Sequence, residues 1–330
     1  ITYTATKASV EIVLAYAVLI GKAAGTIEQA VTWLKKLAGQ IDNSPKLVKY
    51  LKYLIKETND VARAKQLERL LETFGGENVE KLIKKLKVDE IDRFLDDFGD
   101  DIVSVQKFID QDGWALTWKK FGDSPLRTNL NYIEYINGLP ETWKISYNSG
   151  VTKVLDSNGD ELAEIAENLI KAQGGNKNGK KWNQLLNKTP MKNQTYQVDN
   201  YLYETDDFGR VVNVKGELEN IERGRLKSQQ TGSVALKDGL PGDEGGHLIA
   251  NIVNGPGEQI NYLPQPRDLN NGAWKEMETI WKDALRKNPP STVKVDIRPI
   301  FEEGSPSKRP VAFEVDYWID GRKTQRTFTN

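Results

Sequence analysis

The sequence predicts an α+β chain of several domains. A helical region covers 1–110, a small α+β module 111–173 and a strand-rich domain with an antiparallel sheet 195–330, with a basic linker at 174–194. Three observations carry that reading. Apolar residues recur at spacings of three and four through the first third, the signature of amphipathic helices. From Tyr196 onward the apolar residues alternate instead, between turn-forming dipeptides, as half-buried strands do. Between them "GGNKNGKKWNQLLNKTPMK" has no acidic residue and several lysines, bounded by Gly and Pro, which reads as a boundary.

In order along the chain, "TIEQAVTWLKKLAG", "SPKLVKYLKYLIKETND" and "ENVEKLIKKLKVDEIDRFLDDFG" are the helices, broken at Gly39, "DNSP", Gly75-Gly76 and "GDD". Short breaks between them imply antiparallel neighbours. "TWKISYN" and "VTKVLD" are strands around the turn "SG", and "DELAEIAENLIKAQ" is expected to be a helix. "YQVDNYLYETDDFGRVVNVKGEL" is a hairpin bending at "DDFG", "INYLPQP" a strand, and "GAWKEMETIWKDALRKN" a helix stopped by Pro289 and Pro290. Trp274 and Trp281, seven apart, share the face turned to the core. The chain closes with strands in "STVKVDIRPIFEE" and "VAFEVDYWIDGRKTQRTFTN". A fragment starting near Thr195 is expected to fold alone, with the lysine-rich segment exposed and open to proteases.

Composition excludes several classes. Apolar residues make up 38% and charged residues 28% of 330, as in a soluble globular chain, and a formal net charge of −1 argues against coating nucleic acid by charge alone. With no cysteine there are no disulfides, thiolate metal sites or cysteine nucleophiles. The run "SVEIVLAYAVLIG" carries Glu11 and falls short of the roughly 20 apolar residues that span a bilayer, so a buried helix is expected and no membrane span. A start at Ile1 without Met and without a secretory pattern suggests a fragment or cleaved product.

Two motifs fail on their own chemistry. "GGNKNGKK" has phosphate-loop spacing, but Lys181 stands where magnesium needs a hydroxyl, and the loop is expected to follow a helix where the mechanism needs a strand. "DSNGDELAEIAE" spaces its acids like a calcium loop, yet Glu161 occupies the position that requires glycine, and a strand-to-helix turn is the better reading.

The stretch "GDEGGHLIAN" is different. It holds His247, the one histidine of the chain, directly after Gly245 and Gly246. Glycines permit sharp turns or close approach, and imidazole titrates near neutrality, so a base at a site is one reading and a structural histidine the other. The sequel decides between them. "INYLPQPRDLNNGAWKEMETIW" supplies Asn270, Asn271, Glu276 and Glu278 as oxygen donors. A histidine base with neutral oxygen ligands suits magnesium-assisted phosphodiester hydrolysis.

"GGHLIA" followed by "NYLPQPRDLNNGAWKEME" resembles the DNA/RNA non-specific endonucleases of the ββα-metal (His-Me finger) class. The match runs through Asn261, Pro264, Gln265, Leu269, Asn270, Gly272, Trp274 and Glu278. The resemblance implies a C-terminal ββα-metal nuclease fold, His247 as general base, Asn270 as direct ligand of Mg2+ or Mn2+, and Glu278 acting on metal-bound water. The family's Asp-Arg-Gly-His reads Glu244-Gly245-Gly246-His247 here. The missing arginine must therefore be replaced from elsewhere, and Arg223, Arg225 and Arg210 are the candidates. Arg210, Gln229, Asn261 and Gln265 are expected at the substrate. "YLYETDDFGRVVNVKGEL", Arg223 and Gln229 resemble the branch found as C-terminal toxin domains of bacterial secreted proteins. That branch implies a secreted or injected effector acting on DNA, with RNA as the alternative substrate, and a cognate immunity protein. The resemblance spans Tyr196 to Asn330 and leaves the helical half free for contact with delivery machinery. Rival readings are a catalytically idle nuclease-fold binding module, or a translocation or docking protein whose helical half carries the main function. Within a continuous helix eight residues span about 12 Å. Asn270 must then precede the helix that carries Glu278, or Glu278 acts through water.

Overall fold

The computed structural model describes residues 113–330 apart from 167, 176–180, 229 and 231–237; before them it describes 87–99, 103–105 and scattered positions between 49 and 86. The helices expected before residue 66, with "SVEIVLAYAVLIG", lie outside the described residues. Among those described, no helix is long and apolar enough to cross a membrane.

The chain divides into two compact units, Ile1–Glu141 and Thr142–Asn330. In the first, α1 (Val88–Phe98) begins where the backbone N–H of Lys87 donates to Glu90 Oε2 at 2.6 Å. Helices α2 (Trp114–Lys120) and α3 (Leu130–Asn137) follow. Phe94 meets Trp114 and Trp118 edge-on at 5.6 and 5.7 Å, and the Trp118 indole donates to Asp97. The read helix over 77–99 is broken at Leu86-Lys87 and restarts at Val88.

The second unit is built on one sheet of ten strands in the order β1-β2-β3-β4-β5-β6-β7-β10-β11-β12. These are β1 (Lys144–Asn148), β2 (Val151–Leu155), β3 (Glu161–Ala166), β4 (Leu169–Ala172), β5 (Thr195–Val198), β6 (Tyr201–Thr205), β7 (Val211–Glu217), β10 (Val293–Ile300), β11 (Ala312–Ile319) and β12 (Arg322–Thr329). All neighbours are antiparallel except β4 and β5, which are parallel. The expected turns form: Ser149-Gly150 at φ 51° and 82°, and the bend at Asp206–Arg210 between β6 and β7.

Two expectations are corrected here. Residues 161–172 are strands β3 and β4, not a helix. Their apolar residues fit either period, and the exposed edge of β2 settles the matter by offering a hydrogen-bonding partner. The turn after β2 is accordingly strand-to-strand, with Asp156 Oδ1 accepting the N–H groups of Asn158 and Asp160.

The module expected at 111–173 does not stand alone either. Its helices fall in the first unit, and its strands continue the sheet of the second. Nor do the described residues of 174–194 behave as an exposed linker, because Leu185, Leu186 and Met191 are buried. Glu258, itself fully buried, accepts the N–H groups of Gly175 at 2.6 Å and Asn183 at 3.0 Å through one oxygen.

A second, two-stranded sheet pairs β8 (Asp243–His247) with β9 (Tyr262–Pro266), His247 opposite Tyr262. Helix α4 (Arg267–Asn271) follows at once, and α5 (Ala273–Leu285) after a break at Gly272 (φ −102°, ψ −111°). Trp274, Met277 and Trp281 line the buried face of α5. Trp274 packs on Phe313 and Phe328 at 5.0 and 5.3 Å, and Trp281 on Tyr317 at 5.8 Å. Both tryptophans therefore face the core as expected, anchoring the hairpin-plus-helix against β11 and β12. Truncating such a buried tryptophan costs about 3–5 kcal/mol.

Candidate active site

The hairpin and the two helices after it carry three of the expected residues, His247, Asn270 and Glu278. Gly245 and Gly246 sit there for close approach, since neither has positive φ. A Cβ on Gly245 would collide with the backbone of Gln230, and one on Gly246 with the side chain of Gln265. His247 ends β8, 6% exposed, with its ring 4.4 Å from that of Tyr262. Its Nε2 is buried without a hydrogen-bond partner. Burial, helped by the Arg225 charge, pushes the imidazole down to about 3, so it is neutral across physiological pH.

Glu278 lies on α5, half-buried. Burial pushes its carboxyl up to about 7, against a smaller opposing pull from Arg225. Asn270 lies on α4, ahead of the helix that carries Glu278, as the spacing required. Its Nδ2 donates to Glu244 Oε2 at 2.9 Å. Asn271 Nδ2 and Arg267 Nε donate to the same carboxylate at 2.8 and 3.0 Å.

The three arginines separate clearly. Arg210 is buried away from this role: it pairs with Asp206 at 2.7 Å, donates to the carbonyls of Ser305 and Ser307, and lies over the rings of Phe208 and Phe301 at 4.7 and 4.2 Å. Its expected place at the substrate is corrected, because every face of the guanidinium is taken by its own fold. Arg223 is held by Asp199 at 2.7 Å and by Asn254, which leaves its charge neutralised. Arg225 is exposed, and among the described residues no carboxylate lies within ion-pair distance of it. Its Nε donates to Asn251 Oδ1 at 3.0 Å, and its charge acts on His247, Tyr262 and Glu278 together.

Asn261 is also corrected. It is fully buried and spends its whole amide internally, accepting from Tyr203 Oη and the Ile249 N–H and donating to the carbonyls of Ile249 and Pro256. Gln265 is fully buried over Gly246, with neither amide atom partnered. Gln229 lies outside the described residues. Two residues escaped the sequence reading. Asn251 docks the 223–225 segment through three hydrogen bonds, and Glu244 gathers three donors beside Asn270. Asn251 bears no motif and Glu244 was given no role within the Glu244–His247 stretch, since their partners lie 23–28 positions away in sequence.

A β-hairpin ending in a buried imidazole, then a helix presenting a carboxyl, is the arrangement to compare with known proteins. Residues 192–321 match the DNA/RNA non-specific endonuclease family. Over 135 residues the chain is 31% identical to the type VII secretion system protein EssD of Staphylococcus aureus (strain USA300), covering 39% of this chain and 22% of that protein. Over 125 residues it is 27% identical to the probable deoxyribonuclease RhsA of Dickeya dadantii (strain 3937), covering 37% of this chain and 8% of that protein. The chain thus spans about a fifth of the one relative and under a tenth of the other. A solved structure of Sda1 nuclease with bound zinc ion aligns at TM-score 0.32 and 18% identity, over 40% of this chain and 75% of that one.

A divalent cation asks little of the donors in residues 192–321. Among the described residues no group of three or more His, Asp or Glu could hold one. A hard cation that keeps most of its water needs no such cage, and the amide oxygen of Asn270 with the half-buried Glu278 suits it. The Nε2 of His247, on the neighbouring strand β8, is a buried polar atom without a partner, whose cost the fold bears without return. The donor set fits.

Proposed function

We propose that this chain is a metal-dependent endonuclease that hydrolyses phosphodiester bonds of DNA, and that it forms the toxin end of a secreted bacterial effector. The observation that carries the reading is His247: buried, neutral and with its Nε2 unpartnered, within reach of the charge of Arg225, which also acts on Glu278. His247 accepts the proton of the attacking water. Arg225 binds the scissile phosphate in place of the arginine missing from the Glu244–His247 stretch. Asn270 would hold Mg2+ or Mn2+ through its amide oxygen, and Glu278 would orient water. When bound, the cation supplies charge stabilisation at the phosphoryl oxygen and the leaving oxygen. Reading the phosphate backbone rather than base edges accounts for weak sequence preference.

DNA is favoured over RNA by the likeness to a probable deoxyribonuclease, and export by the likeness to a type VII secretion system protein. A cognate immunity protein and a delivery role for the N-terminal half complete the proposal. Plasmid DNA and structured RNA, each incubated with and without EDTA, test it. DNA cleavage should disappear with chelator, and His247→Ala should lose about a hundredfold or more, the order general-base catalysis contributes. Cleavage at the wild-type rate by folded His247→Ala would refute the mechanism.

A further inference from the structure

We infer that Glu244 is a positioning residue, whose carboxylate fixes the side-chain amide of Asn270 so that its oxygen faces away, free to hold a divalent cation. The inference rests on the metal reading above.

An Asn side chain is planar, with donor and acceptor on opposite corners and nearly equal in shape. Rotation by half a turn exchanges them at little steric cost. A neutral surrounding would leave both orientations populated, and only one offers oxygen to a cation. Glu244 removes the ambiguity. Its Oε2 accepts from Asn270 Nδ2 at 2.9 Å, a charge-assisted bond of roughly twice the strength of a neutral one. Turning the amide over would set Oδ1 against a carboxylate oxygen at the same distance, a repulsion in place of that bond.

Three further facts fit this role. The carboxylate also accepts from Asn271 Nδ2 and Arg267 Nε, so it is engaged by α4 at three points and is not spare to compete as a cation ligand. Arg267 meets the other oxygen, Oε1, at 3.0 Å, which leaves Oε2 to the two amides. Glu244 also lies mid-strand in β8, opposite Gln265, where its backbone is fixed by the hairpin ladder. A group that orients a ligand is effective when its own backbone cannot move.

The test compares full-length wild type, Glu244→Gln, Glu244→Ala and Asn270→Ala. Mn2+ binding is read from the free-ion paramagnetic resonance signal, and the side-chain amide of Asn270 from 1H–15N spectra of metal-free protein. Loss of the carboxylate should weaken Mn2+ binding about tenfold to a hundredfold, as loss of an orienting partner does elsewhere. Cleavage at saturating Mn2+ should fall less than half-saturation rises. The Asn270 NH2 signals should move or broaden, and Glu244→Gln, which keeps one acceptor, should fall between. Circular dichroism verifies folding; if the alanine variant misfolds, Glu244→Gln decides. Wild-type Mn2+ affinity in a folded Glu244 variant, with affinity lost in Asn270→Ala, would overturn this inference alone. A wild type that binds no Mn2+ and cuts in chelator would overturn it together with the metal reading.

Discussion

His247 and Glu278 predict a stability profile of unusual shape. Imidazole held near 3 in the fold, against 6.5 when unfolded, disfavours the folded state as acid charges it. The unfolded chain binds the extra proton between those values, so stability falls as pH drops below 6.5 and the loss is complete near 3. At ~1.4 kcal/mol per pKa unit this amounts to on the order of 5 kcal/mol. Glu278 has the opposite sign. Raised to about 7 from 4.5, its contribution is fully present below 4.5 and lost as pH rises through 7, on the order of 3 kcal/mol. Between 4.5 and 6.5 the unfolded chain carries an extra proton on histidine and the folded chain an extra one on Glu278. The two slopes cancel there, and only below that window does the histidine cost stand uncovered.

Variants uncouple the pair. As a difference from wild type, Glu278→Gln should lose stability from pH 7 down to 4.5 at about 1.4 kcal/mol per pH unit, while His247→Gln should gain it from pH 6.5 down to about 3. Urea unfolding of each variant, taken as a difference from wild type at each pH, isolates these groups from the other carboxylates. A direct check comes from the chain's having one histidine, so 13C-labelled histidine gives a single, unambiguous ring signal. In folded protein that signal should not move between pH 8 and about 4.5. A titration centred near 6.5 while the protein remains folded would refute the burial argument outright.

Other outcomes follow from the same site. Arg225→Gln removes the positive charge that helps hold His247 neutral, so the histidine midpoint should rise while cleavage falls; an unchanged midpoint would remove Arg225 from the site. Arg223→Gln should instead lower the melting temperature, through the lost Asp199 pair, more than it lowers the activity of protein that remains folded. Asn270→Asp should bind Mn2+ at least as tightly as wild type by calorimetry and cut more slowly, since added negative charge blunts the cation's Lewis acidity. A fragment from Thr142 should fold, whereas one from Thr195 should not. The shorter piece loses the strand paired with β5, buried Leu185, Leu186 and Met191, and both partners of Glu258, and a cooperative unfolding transition in it would contradict the fold.

What the sequence disclosed divides along physical lines. Local signals were legible: the "SG" and "DDFG" turns, the stripe carrying Trp274 and Trp281, and the glycine break that sets Asn270 ahead of α5. The proposed catalytic set, His247 with Asn270 and Glu278, could be named together because all three lie within one hairpin-helix segment. Long-range pairing was not. Residues 161–172 carry apolar spacing that suits a helix, and only the neighbouring β2 makes them strands. The lysines of 174–192 suggested a linker, but Leu185, Leu186 and Met191 outweighed them once a core was available. Arg210 looked free because its partners Ser305 and Ser307 lie 95 and 97 residues on.

A base held near 3 raises an objection to catalysis, since a weaker base takes a proton less readily. The two causes of the shift answer it. One is burial, and the other is the Arg225 charge. A nucleic-acid phosphate bound at Arg225 would bring a negative charge to the same place, cancelling the second cause and replacing it with attraction. The imidazole's affinity for a proton would therefore rise when substrate is bound, and by linkage substrate binds more tightly as His247 takes up a proton. In the free protein the ring stays neutral, so it is never lost to acid in advance. On the proposed mechanism, burial and Arg225 would keep the base unprotonated until the phosphate arrives, and the phosphate would strengthen it by offsetting the Arg225 charge.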